Sequence, residues 1–304
     1  MENLENAIVE IKEKMPGLKL LENEPMSSHC SFRIGGPVRA LAAPKDVTGL
    51  SKLCHLLKTH HISPLLLGNG TNILFPDEGL KDLFIISTEN LTKMFLLPDG
   101  AIYAEAGVSL AKLASFAQQN GLAGLEFASG IPGTVGGGVR MNAGAYGGEL
   151  RDVLTEVTAL FPDGVRTLRG EELALGYRRS FFTDHPEAVV LRAKLALHGG
   201  DQEAIKARME ELSAKRRASQ PLEMPSAGST FKRPEGYFAG TLIEQCGLKG
   251  ARVGGAEVSR KHAGFVVNAG GATCADVLAL IKKVQDTVFA ATGVTLEPEV
   301  KIIR

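Results

Sequence analysis

Residues 130–148 read Gly-Ile-Pro-Gly-Thr-Val-Gly-Gly-Gly-Val-Arg-Met-Asn-Ala-Gly-Ala-Tyr-Gly-Gly, and eight of the nineteen are glycine. Glycine loses more backbone freedom on folding than any other residue, so this density argues against a helix or strand interior. It is useful where the main chain turns through positive φ or presses against something bulky. The other residues include Ile131, Pro132, Val135, Val139, Met141 and Tyr146, with no Ser, Lys or Glu. A solvated linker would carry that polar set. The stretch therefore reads as a buried backbone wall laid against a ligand. The competing reading is a flexible surface loop.

A second glycine turn precedes it. Pro64-Leu65-Leu66-Leu67 predicts a buried strand that stops at Gly68-Asn69-Gly70-Thr71-Asn72. Successive N–H groups in a tight glycine turn form an anion-binding nest. The dinucleotide fingerprint G-x-G-x-x-G with its helix is absent, and no Gly-Lys-Ser/Thr follows to make a P-loop. Taken alone, G-N-G is an ordinary turn. Two separate glycine-rich turns suit a long, two-ended ligand such as a dinucleotide.

The 304 residues allow one large domain or two ordinary ones, with enough chain to bury a core without disulfides. The net charge is +0 and no long block of like charge occurs. That argues against a nucleic-acid partner or a polybasic membrane anchor. Cys30, Cys54, Cys246 and Cys274 are scattered without a C-x-x-C pair, so reduced thiols are expected and no metal site. The acidic start lacks the apolar run of a signal peptide. No stretch approaches the ~18 apolar residues of a membrane span. The expectation is a soluble cytoplasmic protein, a monomer or weak oligomer.

Leu4, Ile8, Ile11 and Met15 fall at helical spacing, and Asp46 predicts the cap of a helix over 46–60. Ser109 predicts the start of a helix that stops at Asn120-Gly121. Segments 83–87, 102–106, 157–161 and 189–197 read as strands. Gly199-Gly200 reads as a linker, after which Asp201 caps a helix carrying Ala204, Ile205, Met209 and Leu212. Thr273 and Asp276 predict a capping box for a helix over 274–291. Val294–Leu296 is strand-like and leads into Glu297-Pro298-Glu299-Val300. This mixed order indicates an α+β fold.

Three further segments hold candidate chemistry. Gly176-Tyr177-Arg178-Arg179-Ser180 is either a surface turn or a guanidinium held to grip a carboxylate. Ser229 sits among small residues that would let a ligand approach, but no G-x-S-x-G elbow marks it as a hydrolase nucleophile. Glu297 and Glu299 lie between apolar segments, which favours burial of one of them.

Taken together and in order, these segments resemble the UDP-N-acetylenolpyruvoylglucosamine reductase family, the flavin enzymes that make UDP-N-acetylmuramate for peptidoglycan. The matching pieces are Ser31-Phe32-Arg33-Ile34-Gly35-Gly36, Gly68–Asn72, Ile131–Gly137, Met141–Gly147, Tyr177-Arg178, Ala227-Gly228-Ser229, Lys261-His262-Ala263-Gly264-Phe265 and Pro298-Glu299-Val300. They span almost the whole chain. The resemblance implies a vanillyl-alcohol-oxidase-type (PCMH) FAD-binding domain over residues 1–200. A smaller α+β substrate-binding domain would follow over 201–304, its last strand packing back on the N-terminal part.

By the same resemblance, FAD is lined by Leu66, Gly68, Asn69, Gly70, Thr71 and Asn72, with this first turn on the pyrophosphate. The second segment would contribute Gly130, Ile131, Pro132, Gly133, Thr134, Gly136, Gly137, Asn142, Ala143, Gly144, Ala145 and Tyr146. Gly68–Asn72 contains no His or Cys, so non-covalent FAD is expected. The implied reaction takes a hydride from NADPH and delivers it to UDP-N-acetylglucosamine enolpyruvate, the small-molecule partner. Arg178 and Glu299 match the residues that stabilise the resulting enolate, Glu299 by hydrogen bonding in a protonated form that burial would favour. Ser229 matches the proton donor. The chain between Phe182 and residue 197 leaves no room for the Tyr-bearing insertion of the longer family form, so the shorter form is implied. Lys232, Arg233 and Lys261 are candidates for the uridine diphosphate by charge alone. Two alternatives stay open: another FAD-dependent sugar or alcohol oxidoreductase of the same fold, and a flavin- or nucleotide-binding protein without turnover.

Overall fold

The helix-forming signals at the start of the chain are local, and they produce what they predict. Glu2–Lys14 is a helix that buries Leu4, Ala7, Ile8 and Ile11. Val47–Thr59 is a second, capped by the Asp46 carboxylate, which accepts the Gly49 N–H at 2.8 Å. Capping of this kind satisfies one of the otherwise unpaired N–H groups of the first turn. Ser109 does the same for Leu110–Gln119, and Gly121 follows its end at φ 66°.

The computed structural model describes residues 2–304, which divide into two compact units. The first contains the chain through Glu22, Ala40–Gly68 and Asp82–Lys215. Its largest sheet has five strands in the order Gly164–Arg169, Leu154–Phe161, Val189–Leu195, Ile102–Glu105, Met94–Leu96. The pairings are antiparallel, with Val157 opposite Ala193 and Ala193 opposite Ala104. Val157, Ala159, Ala193 and Leu195 bury one face of this sheet with Leu110, Leu113, Val135, Val139 and Phe182. In a second sheet Leu65–Leu67 runs parallel to Ile85–Ser87. Leu4, Ile8, Leu50, Leu53, Phe84 and Ile86 form the core beside it.

The second unit contains Asn23–Arg39, Asn69–Lys81 and Arg216–Arg304. Its three-stranded antiparallel sheet has the order Arg252–Val253, Ala256–Val258, Val266–Asn268. Helix Cys274–Thr292 buries Val277, Leu280, Ile281, Val284 and Val288. Thr273 and Asp276 form the predicted capping box, and the Asp77 carboxylate accepts the Cys274 N–H at 2.8 Å. The closing strand is Lys301–Ile302, parallel to Ile73–Leu74. Val294–Leu296 is not a strand. It follows Gly293, which ends the helix at φ 71°, and the chain must turn there before it can pair.

Two further readings need correction. Gly199-Gly200 is not a linker. His198–Gly199 pairs with Leu122–Ala123, and the Gly200 N–H donates to Gly121 O at 2.8 Å. Nor is the glycine stretch irregular throughout, because Val135–Met141 is a helix containing three glycines. Its poor intrinsic propensity is offset by packing. A Cβ on Gly136 would stand 3.0 Å from Ala106 Cβ, and one on Gly138 would stand 3.0 Å from Leu150 Cδ1. These positions let the helix lie close against its neighbours, a tertiary gain that outweighs roughly 1 kcal/mol of propensity per glycine. Gly137 is exposed, and a Cβ there would meet only Thr134 Oγ1 at 3.6 Å.

The contrast is testable in the cofactor-free protein. Gly136→Ala should lower stability by roughly 1–3 kcal/mol, the usual cost of overpacking. Gly137→Ala should leave it unchanged or raise it by up to about 1 kcal/mol through helix propensity. Thermal unfolding of the two variants side by side decides, and equal losses would show that Gly136 does not set the packing distance.

Candidate active site

Gly68 ends the strand Leu65–Leu67 in the first unit. A Cβ there would lie 2.4 Å from Thr134 Oγ1, closer than real Cβ contacts come. Only glycine lets the strand end touch the second glycine-rich segment. Thr134 is buried and caps Val135–Met141 by accepting the Gly137 N–H at 3.4 Å. The preceding Gly130, Ile131, Pro132 and Gly133 form irregular chain. It is pinned where Ile131 N–H donates to Ala128 O and Gly133 O accepts the Leu110 N–H.

Asn142 closes the helix in the left-handed region, at φ 41° and ψ 60°. Gly144–Ala145 then pairs with Gly148–Glu149 in a two-residue hairpin. Its turn residues Tyr146 and Gly147 have φ 54° and 89°, the sign pattern of a primed hairpin turn. Tyr146 is exposed, whereas Asn142 is 0% exposed and both its amide N–H groups have partners inside the protein.

Arg178 also belongs to the first unit. Gly176 and Arg179 close a tight turn through N–H···O bonds of 2.9 and 3.2 Å. Arg178 is held within it at φ 54°. A non-glycine residue in that region carries strain of roughly 1–2 kcal/mol. The Arg178 guanidinium donates through Nη1 to Gly144 O at 3.3 Å and lies over the Tyr177 ring. The candidate arginine and the glycine hairpin are therefore in direct contact.

In the second unit Gly70 turns at φ 60°, and its carbonyl accepts the Ser31 N–H at 3.0 Å. Among the described residues nothing accepts the Gly70 or Thr71 N–H. Asn72 Nδ2 donates to Glu299 O at 3.3 Å, and Asn72 O accepts the Lys301 N–H at 3.0 Å. The first glycine turn and Glu299 are thereby neighbours.

Ser229 and Glu299 are joined through Thr230. The Thr230 carbonyl accepts the Glu299 N–H at 2.8 Å, and its own N–H donates to Gly264 O at 2.8 Å. Its hydroxyl accepts the Val266 N–H at 2.8 Å. Ser229 and Glu299 are both half-buried, and the Ser229 hydroxyl has no partner among the described residues. Thr230 is buried and carries no chemistry, and no local pattern singled it out. Ser31 likewise had a motif but no role. Its Oγ donates to Ser226 O at 2.6 Å while its N–H holds Gly70, which links the first glycine turn to the serine loop.

His262 shapes the same neighbourhood. Burial holds its imidazole below the ordinary histidine range, which favours the neutral ring. Nδ1 accepts the Gly264 N–H at 3.1 Å, so the neutral ring carries its proton on Nε2. The cationic candidates are engaged differently. Lys232 pairs with Glu297, Lys261 Nζ donates to Arg217 O at 2.6 Å, and the Arg233 guanidinium lies 4.0 Å from the Phe238 ring centroid.

Chemically, the first unit presents glycine main chain beside a guanidinium. The second presents an open glycine turn, a serine hydroxyl and a carboxyl group. Neither 66–72 nor 130–146 contains an acidic side chain that would repel a diphosphate. No helix among the described residues is long and apolar enough to cross a membrane, and no group of three His, Cys, Asp or Glu could hold a metal ion.

Residues 38–168 match the FAD binding domain family, and residues 220–303 match the C-terminal domain of UDP-N-acetylenolpyruvoylglucosamine reductase. A relative of that name from Syntrophomonas wolfei is 47% identical over 97% of this chain and 98% of its own. Another from Agathobacter rectalis is 50% identical over 96% of each chain. The crystal structure of the Thermus caldophilus UDP-N-acetylenolpyruvylglucosamine reductase aligns with a TM-score of 0.80 at 34% identity, covering 94% of this chain and 99% of that one. With this agreement over both halves of the sequence, the chain belongs to the UDP-N-acetylenolpyruvoylglucosamine reductase family.

Proposed function

We propose that this protein reduces UDP-N-acetylglucosamine enolpyruvate to UDP-N-acetylmuramate, a peptidoglycan precursor, using FAD and NADPH, with Arg178, Ser229 and Glu299 carrying the chemistry. The family supports the overall reaction. The observation that carries the residue assignment is the Thr230 link, which makes one buried main-chain unit the support of both Ser229 and Glu299.

The residues present fit FAD. The open Gly70 and Thr71 N–H groups and the neutral side chains of Asn69, Thr71 and Asn72 suit its diphosphate. Leu66, Gly68, residues 130–134, Gly136, Gly137 and residues 143–146 supply main chain on which a planar ring can lie. We assign cofactor binding to residues 1–200 and substrate binding to 201–304, with the protein acting in the cytoplasm as a monomer or weak oligomer. Its four cysteines are free, as they would remain in a reducing compartment.

When bound, FAD supplies the redox chemistry, a hydride exchange from NADPH to the enolpyruvyl double bond. The protein supplies position, charge and a proton. Hydride addition puts negative charge on the substrate, delocalised into its carboxylate as an enolate. The Arg178 guanidinium offers a fixed planar fork for that carboxylate. A preorganised donor of this kind is worth ~3–4 kcal/mol in the transition state. Ser229 gives its hydroxyl proton to the enolate carbon, a transfer that requires a basic acceptor at close range because serine is a weak acid. Glu299 places a carboxyl group beside the developing charge, which it can serve as a hydrogen-bond donor only when that group carries a proton. Asn142 faces the protein and serves this site from behind.

Stopped-flow spectroscopy of the FAD-loaded protein tests the assignment. After reduction by NADPH, the sugar should reoxidise the flavin much faster than oxygen does. A flavin that stays reduced in the presence of the sugar eliminates the assignment, and rapid reaction with oxygen alone favours a sugar or alcohol oxidase. Ser229→Ala should slow reoxidation by the sugar by roughly 10²–10⁴-fold, the range for loss of a general acid. Reduction of the same variant by NADPH should change far less, and equal loss in both halves would make the serine structural. Gly137→Ala, benign for folding, should weaken FAD affinity measured by flavin fluorescence. Unchanged affinity would remove Gly137 from the cofactor surface.

A further inference from the structure

We propose that Asn142 is a positioning residue for Arg178, tying the turn that holds the guanidinium to the glycine hairpin it touches. This role rests on the function proposed above for Arg178. Asn142 ends the helix Val135–Met141 in a left-handed conformation, a position where glycine is favoured and asparagine is tolerated. Glycine would meet the backbone requirement with less strain. The asparagine side chain therefore has to be explained by what it does. Its Nδ2 donates to Glu149 Oε2 at 2.9 Å and to Gly176 O at 3.0 Å, while Oδ1 accepts the Arg151 N–H at 2.9 Å. Asparagine has only two amide hydrogens to give. One goes to the end of the hairpin Gly144–Glu149, the other to the first residue of the Gly176–Arg179 turn. Neither supports the helix that Asn142 closes.

The contacts form a closed circuit within the first unit. Asn142 holds Gly176, and the turn beginning there holds Arg178 at φ 54°. The Arg178 guanidinium returns to Gly144 O, two residues beyond Asn142. Ser180 Oγ and Thr183 Oγ1 both donate to Arg140 O at 2.9 Å, which anchors the far side of the turn to the same helix end. A strained turn keeps its conformation only where its surroundings over-determine it. The buried, fully bonded Asn142 amide meets that condition for Arg178. Loss of the Gly176 tether would release the turn and let the guanidinium leave its place.

Asn142→Gly isolates the side chain because it keeps the left-handed backbone. In the FAD-loaded variant, reoxidation of reduced flavin by UDP-N-acetylglucosamine enolpyruvate should slow about 10–100-fold, as expected for a displaced catalytic group. Reduction by NADPH should slow by less than about threefold, since the role of Arg178 lies in the other half-reaction. The decisive measurement is the cycle with Arg178→Ala. In that background, adding Asn142→Gly should slow sugar-dependent reoxidation by less than about twofold, because coupled residues are non-additive. Additive losses, or equal slowing of the two half-reactions, would overturn the role. If Asn142→Gly fails to retain FAD or a cooperative unfolding transition, Asn142→Asp is read in the same cycle. It keeps the acceptor for Arg151 and removes the donor to Gly176, and the same two outcomes decide. A wild-type flavin that the sugar leaves reduced would instead remove the proposed reaction itself, a result seen before any variant is made.

Discussion

Two glycine-rich segments more than sixty residues apart meet because residue 68 has no side chain. Thr134 Oγ1 occupies the place a Cβ on Gly68 would need. The same hydroxyl caps the helix Val135–Met141, so the close approach and the start of that helix are a single contact. From there the helix fixes Asn142, the hairpin follows, and Arg178 reaches the hairpin carbonyl. A methyl group at position 68 would have to displace Thr134, and every later piece of the first unit's candidate site would shift with it.

Both units position their candidate chemistry in the same way, by hydrogen bonds from a buried uncharged residue. Asn142 in the first and Thr230 in the second are each buried, and each makes three bonds that reach two other segments. Neutral groups are suited to this work. A buried charge would need a partner of its own and would alter the field at the site, whereas a hydrogen-bonded amide or hydroxyl rigidifies without doing so.

Much of this was legible in the sequence because the signals were local. Asp46, Ser109, Asp201 and the Thr273–Asp276 pair each cap a helix within three residues of themselves, and each does so in the structure. The glycine helix was not legible, because its stability comes from Ala106 and Leu150, which propensity within the segment does not contain. Gly199-Gly200 looked like a linker for the same reason, since its pairing partner lies back at residues 121–123. The candidate Arg178, Ser229 and Glu299 were found through ordered motifs. Their supports, Ser31, Asn142 and Thr230, act by hydrogen bonds to distant segments, and a one-dimensional pattern does not display those. The composition of the two units follows the same logic: residues 23–39 and 69–81 join the C-terminal part through pairing such as Lys301 with Ile73.

Some of the backbone strain falls where the chemistry is assigned. Asn142, Tyr146 and Arg178 are non-glycine residues at φ 41°, 54° and 54°, and all three lie on or beside the glycine hairpin. Each such residue costs of order 1–3 kcal/mol. Evolution could lower that cost by placing glycine at any of them, as it has at Gly147 in the same hairpin. At Asn142 glycine would lose the bonds to Gly176 and Glu149, and at Arg178 it would lose the guanidinium itself. At Asn142 and Arg178 the strain accompanies a side chain whose contacts glycine could not make. The surrounding hydrogen bonds of roughly 1 kcal/mol each offset it. A relaxed turn at 176–179 would be more stable locally, but it would leave the guanidinium to be ordered at each encounter with substrate, an entropy that the folded protein has already lost.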